Sequence, residues 1–234
     1  LLELTLDLTT DSVVAHNGRL LLVESSALPP HPTVAAQLAA YRARYPETND
    51  VVGRTADRIT RRYNEESDLG NLFADVLRDD ARTDIALIHS GGLRADLPAG
   101  EVTREDLLDA FPFTDLVNIL DMTGDQIRNV LEQSFTLERG VLQVSGLKVR
   151  YDLRKPVGQR VVAMEIGGRP VEPDAGYSVA TLDFLASGAD LYSGFIGAKV
   201  VADDGPEFST LLERRFARDR VLAAPERGRH IPVD

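Results

Sequence analysis

Ile85-Ala86-Leu87-Ile88 is an unbroken apolar run that passes directly into His89-Ser90-Gly91-Gly92-Leu93-Arg94. A run this short, with no polar residue at alternate positions, predicts a strand buried on both faces. On its N-terminal side, residues 68–80 predict a helix with Leu69, Leu72, Phe73, Val76 and Leu77 on one face. On its C-terminal side, Thr103 with Asp106 and Thr123 with Gln126 have the spacing of capping boxes. The first opens a helix reaching Phe111, and the second a helix bearing Ile127, Val130, Leu131 and Phe135. Strands are predicted at about 141–151, 160–166 and 177–182, with Gly167-Gly168 as a hairpin turn. A last helix near 207–220 carries Phe208, Leu211, Leu212 and Phe216. Helices and strands alternate irregularly, and several strand pairs read as hairpins. The fold class is therefore α+β, a mixed α/β sheet structure and not a regular doubly wound one.

Residues 1–25 form a pattern of their own. Leu2, Leu4, Leu6 and Leu8 alternate with Glu3, Thr5, Asp7 and Thr9, the period-2 signature of a half-buried strand. His16-Asn17-Gly18 predicts a hairpin turn before a strand over 20–23. The breaker cluster Pro29-Pro30-His31-Pro32 then opens a helix of about 13 residues with Val34, Leu38, Tyr41 and Tyr45 on one face, ended by Pro46. Its Pro-rich entry marks an interdomain linker helix. The chain opens at Leu1 directly in a strand, without a basic and apolar leader, and reads as cut from a longer or processed polypeptide.

The 234 residues suit one to two domains, and 43% hydrophobic residues suit a globular chain with a sizeable core. Lys and Arg number 26 against 37 Asp and Glu, a formal charge of −11 that argues against nucleic acid as a partner. No apolar run approaches the roughly 20 residues of a membrane-spanning helix. The absence of Cys excludes disulfides, thiolate metal sites and Cys nucleophiles, and four scattered His residues argue against a His-rich metal site in this chain.

Three segments could carry chemistry. Glycines after a strand allow close backbone approach to an anion, and Arg94 adds a fork of donors, although a Gly-Gly pair is also simply a tight turn. Phe111-Pro112-Phe113 joins a helix to a strand, where a ring is either a stacking plate for a flat ligand or a core plug. In Phe184-Leu185-Ala186-Ser187-Gly188-Ala189-Asp190 a ring precedes a carboxylate, which could stack a base and accept ribose hydroxyls, or could be a core Phe and a turn-capping Asp. Glu65-Glu66-Ser67-Asp68 reads as helix capping and dipole compensation.

The joint order of these motifs resembles the C-terminal domain of the 5′-nucleotidase / UDP-sugar hydrolase family. The segments are Glu66-Ser67-Asp68-Leu69-Gly70-Asn71-Leu72, Ser90-Gly91-Gly92-Leu93-Arg94, Phe111-Pro112-Phe113, Met122-Thr123-Gly124-Asp125-Gln126-Ile127, Leu142-Gln143-Val144-Ser145-Gly146-Leu147, and Phe184 to Tyr192. The resemblance implies a layered α/β/β/α domain over 51–234, with residues 26–50 as the linker helix. Residues 1–25 would be the closing strands of the family's N-terminal metallophosphoesterase domain.

It further implies a division of labour. Two divalent metal ions, for example Zn, Mn or Mg, would lie in the N-terminal domain, outside this chain, and the segment alone would be inactive. This chain would bind the nucleotide or nucleoside and work with its own N-terminal catalytic domain, in an extracytoplasmic (periplasmic, secreted or cell-surface) enzyme. Phe113 and Phe184 would sandwich the base, Asp190 would hold the ribose hydroxyls, Arg94 would reach the phosphate or ribose, and Gly140 would edge the base pocket. His89 stands where the family usually has an Asn addressing the base, Glu65 where it often has an Arg, and Ala189 and Leu191 where it has glycines. A 2′,3′-cyclic nucleotide phosphodiesterase, a UDP-sugar hydrolase and a non-catalytic binding module are the alternatives.

Overall fold

The computed structural model describes residues 1–21 and 28–233, which fall into two compact units, Leu1–Pro46 and Glu47–Asp234. In the first unit β1 (Leu2–Asp7) pairs antiparallel with β2 (Ser12–Gly18), placing Leu2 opposite Gly18 and Asp7 opposite Ser12. The hairpin turn is therefore Leu8-Thr9-Thr10-Asp11, and His16-Asn17-Gly18, expected as the turn, lies within β2. Asp7 Oδ1 accepts the Thr9 N–H at 2.8 Å and Asp11 adopts φ 51°, so a side-chain-stabilised turn prevails over the Asn-Gly signal. Of the strand expected over 20–23, residues 20 and 21 are not in a strand and residues 22 and 23 lie outside those described. α1 (Pro32–Arg44) forms as expected, with Pro at its first turn, and leaves Val34, Leu38 and Tyr41 exposed.

The second unit contains, in chain order, β3 (Val51–Thr55), α2 (Asp68–Ala81), β4 (Ile85–His89), β5 (Gly100–Thr103), α3 (Arg104–Ala110), β6 (Val117–Thr123) and α4 (Gly124–Ser134). β7 (Leu142–Ser145), β8 (Leu147–Tyr151), β9 (Val161–Ile166), β10 (Arg169–Pro170), β11 (Gly176–Leu182) and α5 (Asp183–Ala186) follow. The unit ends with β12 (Lys199–Ala202), α6 (Phe208–Asp219), β13 (Val221–Leu222) and β14 (His230–Pro232). Both predicted capping boxes are present, Thr103 with Asp106 and Thr123 with Gln126.

A five-stranded mixed sheet of order β12-β6-β11-β4-β7 is the centre. β4 runs parallel to β11 and antiparallel to β7. Its residues 85–88 feed two different cores in alternation, which is why that run carries no polar position. Ala86 and Ile88 pack with Leu69, Phe73 and Leu77 of α2, Leu107 of α3 and Phe208, Leu212 and Phe216 of α6. Ile85 and Leu87 pack with Ile127, Val130 and Leu131 of α4, Val149 of β8 and Met164 of β9. The second core is closed by a four-stranded sheet, order β10-β9-β8-β14, and a three-stranded sheet β13-β3-β5 completes the unit.

The single strand expected over 141–151 is two strands in two sheets. β7 pairs with β4 and β8 with β9, and Gly146 between them sits at φ 74°. A Cβ there would lie 2.2 Å from the Asp84 carbonyl oxygen, a backbone atom that cannot swing away. Gly146→Ala combines this clash with left-handed strain and is expected to cost about 2–3 kcal/mol. Urea unfolding of the variant checks it.

Candidate functional site

β4 and β11 are parallel neighbours, so the loops that leave their carboxyl ends emerge side by side, the place where open α/β sheets present ligand sites. After β4 the chain turns tightly through Ser90–Gly92, and after β11 it enters α5, which bears Phe184. The turn is anchored from three directions. Ser90 donates its N–H and its hydroxyl to the Val141 carbonyl at 3.1 and 2.7 Å, and the Arg94 N–H reaches the Ala110 carbonyl at the end of α3 at 2.9 Å. Buried Gln143 donates to Ser90 Oγ at 2.8 Å and to the Glu65 carbonyl at 2.9 Å, while its Oε1 accepts the Ser67 N–H at 2.9 Å.

The His89 ring lies under that of Phe184, centroids 5.1 Å apart and planes tilted 31°. His89 is only 5% exposed and its Nδ1 is buried without a partner. Burial pushes its imidazole down to about 4, against the upward pull of the Asp190 carboxylate and with a smaller downward push from Arg94. His89 is therefore a neutral ring at ordinary pH, with its buried Nδ1 unpaired.

A Cβ on Gly91 would lie 3.4 Å from Asp190 Oδ2 and 3.2 Å from His89 Cδ2, which sets the carboxylate against the bare backbone of the turn. Asp190 and Leu191 both adopt left-handed angles, φ 52° and 68°, so the side chain at 191 occupies a conformation that favours glycine. Arg94 is exposed and held loosely by one bond from Nη1 to the Gly91 carbonyl at 3.2 Å. It opens on a cleft of about 550 Å³ lined also by Arg58, Arg61, Arg62, Tyr63 and Asp96, a cationic hollow on an acidic chain.

Gly140, at φ 76°, packs against Tyr63 and Ser90, and its carbonyl accepts the Tyr192 hydroxyl at 3.0 Å. Of the two rings in Phe111-Pro112-Phe113, Phe111 is a core plug, edge-on to Phe73 and Phe208. Phe113 is 39% exposed and its ring meets that of Phe111 at 74°, centroids 5.4 Å apart, while Phe184 is 38% exposed. His89, Phe184, Asp190, Gly91 and Arg94 thus come together. Gly140 lies one layer behind through Ser90, and Phe113 stands on the neighbouring segment without ring contact to Phe184 among the described residues. Sequence reasoning gives no site role to Asp183, Gln143, Tyr63 or Arg58, although Gln143 lies in the motif over 142–147 and Asp183 directly precedes Phe184.

A half-buried ring backed by a neutral imidazole, a carboxylate on bare glycine backbone and an arginine at a cationic cleft put stacking, hydrogen-bond acceptance and anion pairing side by side. The class is a mixed α/β domain. The chain belongs to the 5′-nucleotidase, C-terminal domain family, whose family model matches residues 51–196. It is 28% identical to the 5′-nucleotidase precursor of Thermus thermophilus, with a TM-score of 0.85 over 100% of this chain and 49% of that one. It is 29% identical to the endonuclease YhcR of Bacillus subtilis over 97% of this chain and 19% of that protein. Similarity to the 5′-nucleotidase of Vibrio cholerae is 29% over 69% of this chain and 31% of that protein. The chain therefore spans about half or less of the relatives it matches.

Proposed function

We propose that this chain is the substrate-binding domain of a two-metal 5′-nucleotidase-type phosphoesterase, which releases phosphate from nucleotides. Residues 51–234 are the binding domain, 26–50 the linker helix and 1–25 the closing strands of the metallophosphoesterase domain. The grouping of Phe184, His89, Asp190 and Arg94 at the carboxyl ends of β4 and β11 carries the reading. Phe184 and Phe113 hold the base, neutral His89 backs Phe184 at the base position, Asp190 accepts from ribose hydroxyls, and Arg94 faces the phosphate side across the cationic cleft. Fixing base and ribose delivers the phosphate in one orientation, which is how such a domain lowers a barrier without touching the reacting bond.

Among the described residues no group of three or more His, Asp or Glu side chains is arranged to hold a metal ion. The metals of the family do not fit this chain's own residues, and no step here runs through them. No described helix is long and apolar enough to cross a membrane. Similarity to a cell wall protein of Listeria monocytogenes, at 29% identity, supports an extracytoplasmic location.

Calorimetry with a nucleoside monophosphate and with ribose 5-phosphate tests the reading. Phe113→Ala and Phe184→Ala should each weaken nucleotide binding by about 1–3 kcal/mol. Neither should shift the melting temperature much, because both rings are more than a third exposed. Ribose 5-phosphate binding as tightly as the nucleotide would sink the aromatic clamp.

A further inference from the structure

Phe113 and Phe184 stand on the two diverging ends of one antiparallel pair. β6 and β11 are in register from Thr123 opposite Gly176 to Val117 opposite Leu182. Beyond that point one strand leads back to Phe113 and the other forward to Phe184. The last link between them is made by Asp183. Its N–H donates to the Leu116 carbonyl at 2.9 Å, as the next rung of the ladder requires. The return bond does not go to the Asp183 carbonyl, which has turned to accept the Ser187 N–H at 2.9 Å in α5. The Asp183 carboxylate takes its place. Oδ1 accepts the Leu116 N–H at 3.1 Å and also the Phe184 N–H at 2.8 Å.

One oxygen atom thus ties the backbone just after Phe113 to the backbone of Phe184 itself. The proposed function left Asp183 without a role. We propose that Asp183 is the positioning residue that sets the separation of Phe113 and Phe184, and so makes the site selective for a planar base over a base-free sugar phosphate. This rests on the clamp reading above. Nothing in it needs Asp183 to touch the ligand. Its acceptor oxygen and its reach are what matter, because both N–H donors belong to fixed backbone.

The test is calorimetric titration of the 234-residue chain and its variants with adenosine monophosphate and with ribose 5-phosphate, reading the ratio of the two affinities. Wild type must first prefer the nucleotide, and absence of that preference defeats the clamp reading itself. Given the preference, Asp183→Ala removes the link and should lower the ratio about tenfold, with ribose 5-phosphate affinity unchanged. Asp183→Asn retains the acceptor oxygen at the same reach and should keep the ratio within about threefold of wild type. Asp183→Glu retains charge but lengthens the arm, and should lose the ratio as Ala does. A general structural weakening would lower both affinities together and leave the ratio intact, which overturns the proposal. So does the opposite order, Glu keeping the ratio and Asn losing it, since that assigns the effect to charge. If Asp183→Ala does not fold, the Asn and Glu variants decide the matter.

Discussion

Replacing Glu66 with Ala should cost about 4 kcal/mol or more and free the C-terminal tail. The Glu66 carboxylate is buried and accepts four different donors: the N–H groups of Gly228, Arg229 and His230 at 3.0–3.2 Å, and Asn71 Nδ2 at 2.7 Å. Each donor left without a partner costs about 1–3 kcal/mol while it stays buried. The neighbours hold the same tail. Asp68 pairs with Arg227 at 2.6 Å, and Asp75 takes the Arg229 guanidinium through two bonds of 2.8 and 2.7 Å. Without Glu66 the cheapest relief is for residues 226–233 to leave α2 and strip β14 from β8. Burial raises the Glu66 carboxyl, but the bonds from Asn71, Gly228, Arg229 and His230 outweigh it and hold it below the usual range. Its stabilisation is therefore complete above about pH 4.5 and lost as the pH falls through the lower folded value. Glu66→Gln should fare little better, since half of its amide presents donors to donors. Thermal melting gives the loss, and brief trypsin treatment should cut after Arg227 and Arg229 in the variant alone. A variant that melts as wild type does and resists trypsin at those sites would refute the clamp.

The same residue shows what the sequence made legible and what it hid. Ser67 caps α2 as expected, its Oγ accepting the Gly70 N–H at 3.0 Å, because a cap is decided within one turn of chain. Glu66 beside it was read as part of that cap. Three of its four donors, on Gly228, Arg229 and His230, stand more than 160 positions away, where no local pattern can announce them. Local chemistry likewise made β4, both capping boxes, α6 and the Gly167-Gly168 turn readable. β3, β5, β12, β13 and β14 went unread, since strands of two to five residues are too short to show a period. At the site, the rings and the carboxylate were visible as residue types in order. Which ring of Phe111-Pro112-Phe113 faces solvent depended on Phe73 and Phe208 closing over Phe111, a tertiary fact. The Asp183 link was invisible because an aspartate at a strand end reads as an ordinary helix cap.

Stability should fall steeply as the pH drops from 7.5 to 5, before most carboxylates titrate. His89 and His230 are both buried in the second unit, and burial pushes each down to about 4 from an ordinary 6.5. Glu66 pulls His230 upward and Arg229 pushes it down, as Asp190 and Arg94 do for His89, without restoring either. His230 is wedged edge-on to Phe135 and Tyr151 with its Nε2 unpartnered, so no acceptor waits for a second proton. Both shifts are depressions of a base. Below pH 6.5 the unfolded chain binds protons that the folded chain refuses, and the folded state loses ground until about pH 4. Each shift amounts to on the order of 3 kcal/mol in full. By pH 5 about 2 kcal/mol of each has been lost, or about 4 kcal/mol together. Urea unfolding at pH 7.5 and 5 measures the sum, and His230→Phe, which fills the same aromatic niche, should remove roughly half of the difference. Equal stability at the two pH values would mean that these imidazoles reach water or find a counter-charge. The function follows the same sign. His89 stays a neutral ring over the whole range in which the fold is secure, so in the proposed site Phe184 is backed by an uncharged imidazole and not by a cation.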